Sequence, residues 1–471
     1  MNGPLNARQP RASTTQKALE FNLDPLRYGS IAEIGAGQEV ARHFFRVGGA
    51  SGTIAKTTSA YDMRFSDAIY GPSASGRYVA RDRLLRMLDH EYGLIIERVA
   101  ASRPPESRYF VFADTVAARR FGVESEDHGW LGMLFQHAPG AEPSRVVVHV
   151  GLFDETNQDQ QEALGILGVN LIDSCFRYHD DAGQLVDSLA ENLAWGRVEV
   201  DSVELDGPAF AGVDRLAMGL RVVSSSLGPV VIFAPDGAVA LPADVLYRKV
   251  PLILRGTFRP FTNVHADMAA RGVEGLAQEL GIPRDDIVLL CEMNIARHLY
   301  EGVDDVSDLQ ARVELLNALG LHAMVTSHLR FFRLAEHFQR HDLRRVAFVL
   351  SVADLHAIFD DAYYAGLDGG MLQAIARLFA SDSKLLVYPN LTVEGDVRTV
   401  ENLRLPEDHA HLYRHLVVNR RILGLEADPD RLVVFDPEAL GALIAAGDER
   451  WRELVPAAVQ ARIGELRIAA P

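Results

Sequence analysis

The chain is poor in cysteine, has no long apolar run and carries no excess of basic residues. Each deficit removes a class of protein. Only two cysteines occur in 471 residues, Cys175 and Cys291, both inside apolar runs. They exclude a disulfide framework and read as buried, reduced thiols of a cytoplasmic protein. No apolar stretch is long enough to span a bilayer, so no membrane partner is expected. Lys and Arg number 47 against 64 Asp and Glu, a formal charge of −17. That balance argues against a dedicated binder of DNA or RNA backbone. It still permits a small phosphorylated ligand, which needs only a local basic site. The first twenty residues carry Arg8, Arg11 and Lys17, no acid before Glu20 and no apolar signal core. They read as a disordered tail, not a secretory signal.

What is present is an ordinary globular composition, 48% hydrophobic and 24% charged. The length fits two or three domains of roughly 150 residues each. The chain divides near Pro242 to Pro251. The expected plan is a tail over 1–20, a mixed α/β domain over 21–245, a second domain over 250–395 and a helical extension over 396–471.

In the second domain, short continuous apolar runs recur at Leu252–Leu254, Ile287–Cys291, Ala323–Thr326, Val346–Leu350 and Leu385–Tyr388. Runs of that kind are strands covered on both faces, the habit of parallel sheets. Helical patterns lie between them. One opens with Ser307 and Gln310 as a capping box and stops at Gly320. The predicted fold class is α/β: a Rossmann-like, doubly wound parallel sheet, with a separate mixed α/β N-terminal domain. Ligands of such sheets bind beyond the carboxyl ends of the strands.

The first of those ends carries Gly256, Thr257, Phe258, Arg259 and Pro260, then Thr262, Asn263, Val264 and His265 at a helix start. Gly256 would let the backbone approach a phosphate, and the helix would offer unpaired N–H groups to an anion. The arrangement resembles the opening motif of the nucleotidyltransferases, G-[ST]-F-D-P-x-[HT]-x-G-H, with Arg259 in place of the acid and Val264 in place of the second glycine. A second stretch, Arg345 to Leu355, is similar to the late strand of the nicotinate- and nicotinamide-nucleotide adenylyltransferases, which runs into G-x-D-x-[LM]. Ser351 stands for that glycine and Asp354 matches the acid.

The resemblance covers about a third of the chain. It implies adenylyl transfer from ATP, with Mg²⁺, to a pyridine mononucleotide or similar phosphate acceptor, a step of NAD biosynthesis. Thr262 and His265 would be the catalytic pair facing the phosphates. Gly256, Thr257, Phe258, Arg259, Ser351 and Asp354 would bind the nucleotide, and no protein metal ligands are assigned. The family's closing motif, I-S-S-T-x-x-R, has no counterpart after Pro389. Arg414, Arg420 and Arg421 are the nearest basic residues, on a segment that reads as an amphipathic helix with a solvated face.

The N-terminal half offers weaker signals. Ile31 to Val40 looks like the first motif of S-adenosylmethionine methyltransferases, and Ala50 to Thr57 echoes a P-loop with alanine at both glycine positions. Both read as turns. Val230–Phe233 reads as one of this half's strands. Asn157 to Phe176 predicts a helix, with Asn170 a satisfied core group and Gln158, Gln160 and Gln161 on solvated turns. Its apolar face suits either the core or an oligomer interface. Asp62, Asp67, Asp114, His128 and His149 could line a site but lack metal-ligand spacing. Two function classes follow: a nucleotidyltransferase, or a catalytically degenerate nucleotide-binding or self-assembling scaffold forming a homo-oligomer.

Overall fold

The computed structural model describes residues 12–35, 38–73, 76–119, 127–295, 306–434 and 437–463. The chain forms two compact units, Met1–Pro229 and Val230–Pro471.

Unit 1 runs α1 (Thr14–Asn22), β1 (Arg27–Ile34), α2 (Glu39–Val47), β2 (Ile54–Ser59), α3 (Met63–Tyr70), α4 (Arg81–Arg98), β3 (Arg108–Ala117), β4 (His128–Phe135), β5 (Ser144–Leu152), α5 (Asn157–Arg177), α6 (Ala182–Ser188), β6 (Val198–Asp206) and α7 (Arg215–Ser224). Its six-stranded sheet has the order β2-β1-β3-β4-β5-β6. β1 pairs in parallel with β2 and β3, and the remaining ladders are antiparallel. One face of the sheet buries Ile31, Phe110, Phe112, Leu131, Met133, Val146 and Val148 with Leu164, Leu167 and Leu171 of α5. The other face receives α4 so closely that a Cβ at Gly132 would stand 2.8 Å from Leu88 Cδ1.

Three expectations are corrected here. The stretch read as a disordered tail is helical from Thr14, because Ser13 and Gln16 form a capping box and Lys17, 2% exposed, is buried. Gln160 is 1% exposed, not solvated. Its amide donates to Asp127 Oδ2 and Asp154 O and accepts from Arg119 N, so a polar side chain is buried with every group used. The strand Val230–Phe233 belongs to the second sheet, where it pairs antiparallel with the strand at His322–Thr326. Asn170 is the satisfied core group expected, accepting from Lys17 Nζ at 2.8 Å and donating to Leu189 O and Glu191 O.

Unit 2 runs β7 (Val230–Phe233), β8 (Val239–Ala240), α8 (Pro242–Val245), β9 (Val250–Arg255), α9 (Asn263–Leu280), β10 (Ile287–Asn294), α10 (Ser307–Ala318), β11 (His322–Thr326), α11 (Phe331–Arg340), β12 (Ala347–Ser351), α12 (Val352–Ile358), α13 (Gly370–Leu378), β13 (Lys384–Tyr388), a two-stranded ribbon β14 (Asn390–Leu391) and β15 (Val397–Arg398), α14 (Glu407–Val418), β16 (Ile422–Gly424), α15 (Pro437–Ala445) and α16 (Ala457–Arg462). The order of the eight-stranded sheet is β16-β13-β12-β9-β10-β11-β7-β8. From β16 to β11 every ladder is parallel.

The sheet is doubly wound. On one face α9 lies against Leu252, Val349 and Leu386, close enough that Gly272 leaves room for no side chain: a Cβ there would sit 2.3 Å from Val349 Cγ2. On the other, Ile253, Phe348 and Leu385 pack with Phe331, Leu355 and Met371 from α11, α12 and α13. The capping box expected at Ser307 is absent. Val306 is the N-cap residue and makes no side-chain cap bond, so Ser307 is already inside the first turn.

Candidate functional site

In the order β11-β10-β9-β12-β13, the strands following β9 build outward on one side and β12 and β13 on the other. The strand order therefore reverses between β9 and β12, and it is beyond the carboxyl ends at such a reversal that doubly wound sheets bind ligands. The loop Gly256–Phe261 leaves β9 at this point, and Ser351 ends the adjacent β12. The sequence-predicted residues thus come from the ends of two neighbouring strands.

The loop is tightly built. Gly256 N donates to Glu292 O at 3.0 Å. Phe258, fully buried, turns back over Gly256 with φ +49°, and a Cβ on Gly256 would lie 2.8 Å from its ring. The Arg259–Pro260 peptide is cis. Thr262 then caps α9, accepting from His265 N while His265 Nδ1 accepts from Thr262 N at 3.1 Å. Histidine here takes the N3 part usually played by glutamate or glutamine.

His265 is 7% exposed and packs against Phe258 and Phe261, with ring centroids 5.0 and 5.4 Å away. Burial pulls its pKa down to about 4. The ring is therefore neutral at pH 7, and because Nδ1 accepts, the proton sits on Nε2. A neutral His265 carries none of the positive charge of an imidazolium.

The other predicted residues are held by internal partners. Arg259 donates to Asp308 Oδ2 at 2.5 Å. Asp354 N donates to Ser351 Oγ, and Asp354 Oδ2 accepts from Ser351 N and Oγ at 3.1 and 2.7 Å. The pair is the capping box of α12. Thr257 meets the site through its carbonyl, which accepts from Arg312 Nη1 at 2.8 Å.

Sequence reasoning missed Arg312 and Asp308. Arg312 is 4% exposed and shares the Asp308 carboxylate with Arg259. Burial lowers its pKa to about 10, which leaves it charged. The signal was a lone arginine beside the apolar positions Leu309, Val313 and Leu316. A second missed network crosses the ends of β9, β10 and β11. Glu292, fully buried, holds Arg255 through two oxygens and accepts from Thr326 Oγ1. Arg255 also donates to the carbonyls of His328 and Leu329 and lies over Phe331. An open cavity of about 650 Å³ lies on another side of α9, lined by Asn263, Asp267, Asp428, Arg431, Arg452 and Gln460 among others. Of the basic residues considered after Pro389, Arg420 pairs with Glu279 and Arg421 with Asp382.

In unit 1 the methyltransferase-like turn is filled by the protein itself. Val40 N and Ala41 N, on the first turn of α2, donate to the Glu33 carboxyl group at 3.0 and 3.2 Å, so the helix end is already occupied by a side chain of the protein. Glu33 lies opposite Asp114 in the β1–β3 ladder. Burial raises Glu33 to about 7, and burial with the neighbouring Glu33 raises Asp114 well above the carboxylate range. Residues 36 and 37 of this turn lie outside the described residues. Asp62 caps α3, and Asp67 pairs with Arg83 and Tyr78. His128 and His149, distant in sequence, are adjacent in the sheet, with Nδ1 and Nε2 3.1 Å apart.

No family model matches the chain, and no curated protein matches it. Similarity to solved structures is partial. The competence/damage inducible protein CihA of Agrobacterium tumefaciens is 17% identical, over 35% of this chain and 96% of that one, with a TM-score of 0.27. A CinA superfamily protein of Enterobacter cloacae is 14% identical over 37% of this chain and 99% of its own, at 0.26. One from Escherichia coli is 15% identical over 35% and 92%, at 0.25. Likeness at this level carries no argument about chemistry.

Proposed function

We propose that unit 2 is nucleotidyltransferase-like: it binds ATP at the β9/β12 switch point and transfers its adenylyl group to a pyridine mononucleotide or similar phosphate acceptor. The observation that carries the reading is the convergence, at that point, of the Gly256–Phe261 loop, the first turn of α9 and the end of β12. Transfer of this kind asks the protein for positioning and charge stabilisation more than for covalent chemistry. Gly256, Thr257 and Phe258 would form the backbone cradle. Thr262 and His265 would supply donors, and Arg259 with Arg312 would supply positive charge in excess of the single Asp308 carboxylate.

The acids near the loop are engaged: Asp308 by two arginines, Glu292 by Arg255 and Thr326, Asp354 by Ser351. Mg²⁺ would therefore rest on ATP phosphate oxygens and water, as it commonly does, and not on a protein cage. A second reading, a catalytically degenerate nucleotide binder or assembling scaffold, draws on the same internal pairing. It is favoured by the neutral, buried state of His265.

Pyrophosphate release from ATP and Mg²⁺ with nicotinate or nicotinamide mononucleotide separates the two. The transferase reading expects turnover in the wild type and its loss in His265→Ala with α-helical content unchanged. No turnover with either acceptor moves the function to binding alone.

A further inference from the structure

Unit 1 carries a polar cluster that neither core packing nor the nucleotide reading uses. His149 on β5 is 6% exposed, and its Nδ1 stands 2.7 Å from Oδ2 of Asp201 on β6. Its Nε2 stands 3.1 Å from Nδ1 of His128 at the start of β4. Trp130 packs on His149 with ring centroids 4.6 Å apart. A carboxylate only accepts, so the His149 proton facing Asp201 is on Nδ1. With its Nδ1–H toward Asp201, His149 can accept at Nε2, and His128 then donates to it from Nδ1. The chain of donors ends at Nε2 of His128, the half-buried member, as an unprotonated acceptor.

The backbone departs from regular pairing to make this contact. His149 faces Ser202 and Val150 faces Val200, so Asp201 is one residue too many on β6. In an unbroken ladder Asp201 would face Val150 and point to the opposite side of the sheet from His149. The bulge turns its carboxylate onto the histidine, a re-aiming seen where side chains have work to do. Ser202 Oγ, opposite His149, is buried with no hydrogen-bond partner. Burial, then His149, then the exposed Arg77 disfavour a proton on His128, while Asp201 and Asp127 favour one, and the balance lowers it to about 4. The base is thus neutral at working pH but weak. General-base efficiency falls with base strength, so only an acyl group bearing a good leaving group is within reach of such a base.

We propose that unit 1 holds a general-base site in which His128 Nε2 activates water for the hydrolysis of small activated esters, with His149 and Asp201 as positioning residues behind it. Water adds to the acyl carbon as its proton passes to His128 Nε2. The proton on His128 Nδ1 moves to His149 Nε2, so the positive charge rests beside Asp201. The acyl–oxygen bond breaks, the leaving group departs as its anion, and the relayed proton returns to solvent through His128.

The test is p-nitrophenyl acetate hydrolysis by the full chain, wild type beside His128→Asn and Asp201→Asn, with circular dichroism as the check on folding. Loss of the base is expected to lower kcat by about 10²-fold. Asp201→Asn is expected to lower kcat with KM unchanged and to move the acidic limb of the pH profile downward, which a merely structural residue would not do. A wild type no faster than His128→Asn overturns the proposal, as does an unchanged pH profile in Asp201→Asn. Nitrogen-15 chemical shifts give a check independent of substrate: His128 is expected to be protonated on Nδ1, and the opposite tautomer refutes the relay.

Discussion

Replacing His265 by glutamine should remove a pH-dependent part of the stability of unit 2 while leaving the cap of α9 in place. Glutamine at N3 can still accept from Thr262 N, as the capping box requires. What it cannot do is titrate. Burial lowers the folded pKa of His265 from 6.5 to about 4. The unfolded chain therefore takes up a proton first as the pH falls. Stability from this residue is fully present above pH 6.5 and is lost progressively down to about 4. At 1.36 kcal/mol per unit the gap corresponds to about 3 kcal/mol. Urea unfolding read by pulsed hydrogen exchange on unit 2 peptides, at pH 7 and at pH 4, isolates the unit from its neighbour. The wild type should lose most of that amount relative to His265→Gln on acidification. Parallel losses in the two proteins would mean that His265 titrates normally, and the neutral-donor account of the site would be wrong.

Other expectations follow from packing and charge. Gly272→Ala drives a methyl to within 2.3 Å of Val349 and 3.2 Å of Leu252. Overpacking of that kind costs about 1–3 kcal/mol, so calorimetry should show a lower Tm for unit 2. Glu33 behaves oppositely to His265. Its folded pKa is raised from 4.5 to about 7, so the native state keeps a proton that the unfolded chain gives up, and unit 1 loses stability as the pH rises between those values. Glu33→Gln should flatten that slope in urea unfolding followed on unit 1 peptides.

The parallel sheet was legible because its strands are buried on both faces. Leu252–Leu254 and Val346–Leu350 admit no polar residue, and that continuity is a signal in itself. Elements whose partner is distant were harder. Val230–Phe233 has a strand's composition, but nothing in it says that it pairs with His322–Thr326 across some ninety residues. Gln160 looked solvated because glutamine usually is, yet Asp127, Asp154 and Arg119 N satisfy it in the interior. At the site, the Gly256–His265 spacing pointed to the loop and helix start. It could not foretell that Ser351 and Asp354 cap their own helix, or that Arg259 finds an acid on α10. Such pairings depend on tertiary approach, which local pattern does not encode. The His128–His149–Asp201 chain was hidden for the same reason, and its bulge has no signature in the residues around Asp201.

Hydrogen exchange of the full chain with and without ATP and Mg²⁺ tests the central claim most directly, because the transferase and the binding-only readings both require a nucleotide at the switch point. The account predicts slowed exchange in peptides spanning Arg255 to Ala266 and Ser351 to Leu355, where the loop, the first turn of α9 and the end of β12 meet. Unchanged exchange in both segments at millimolar ATP would contradict it.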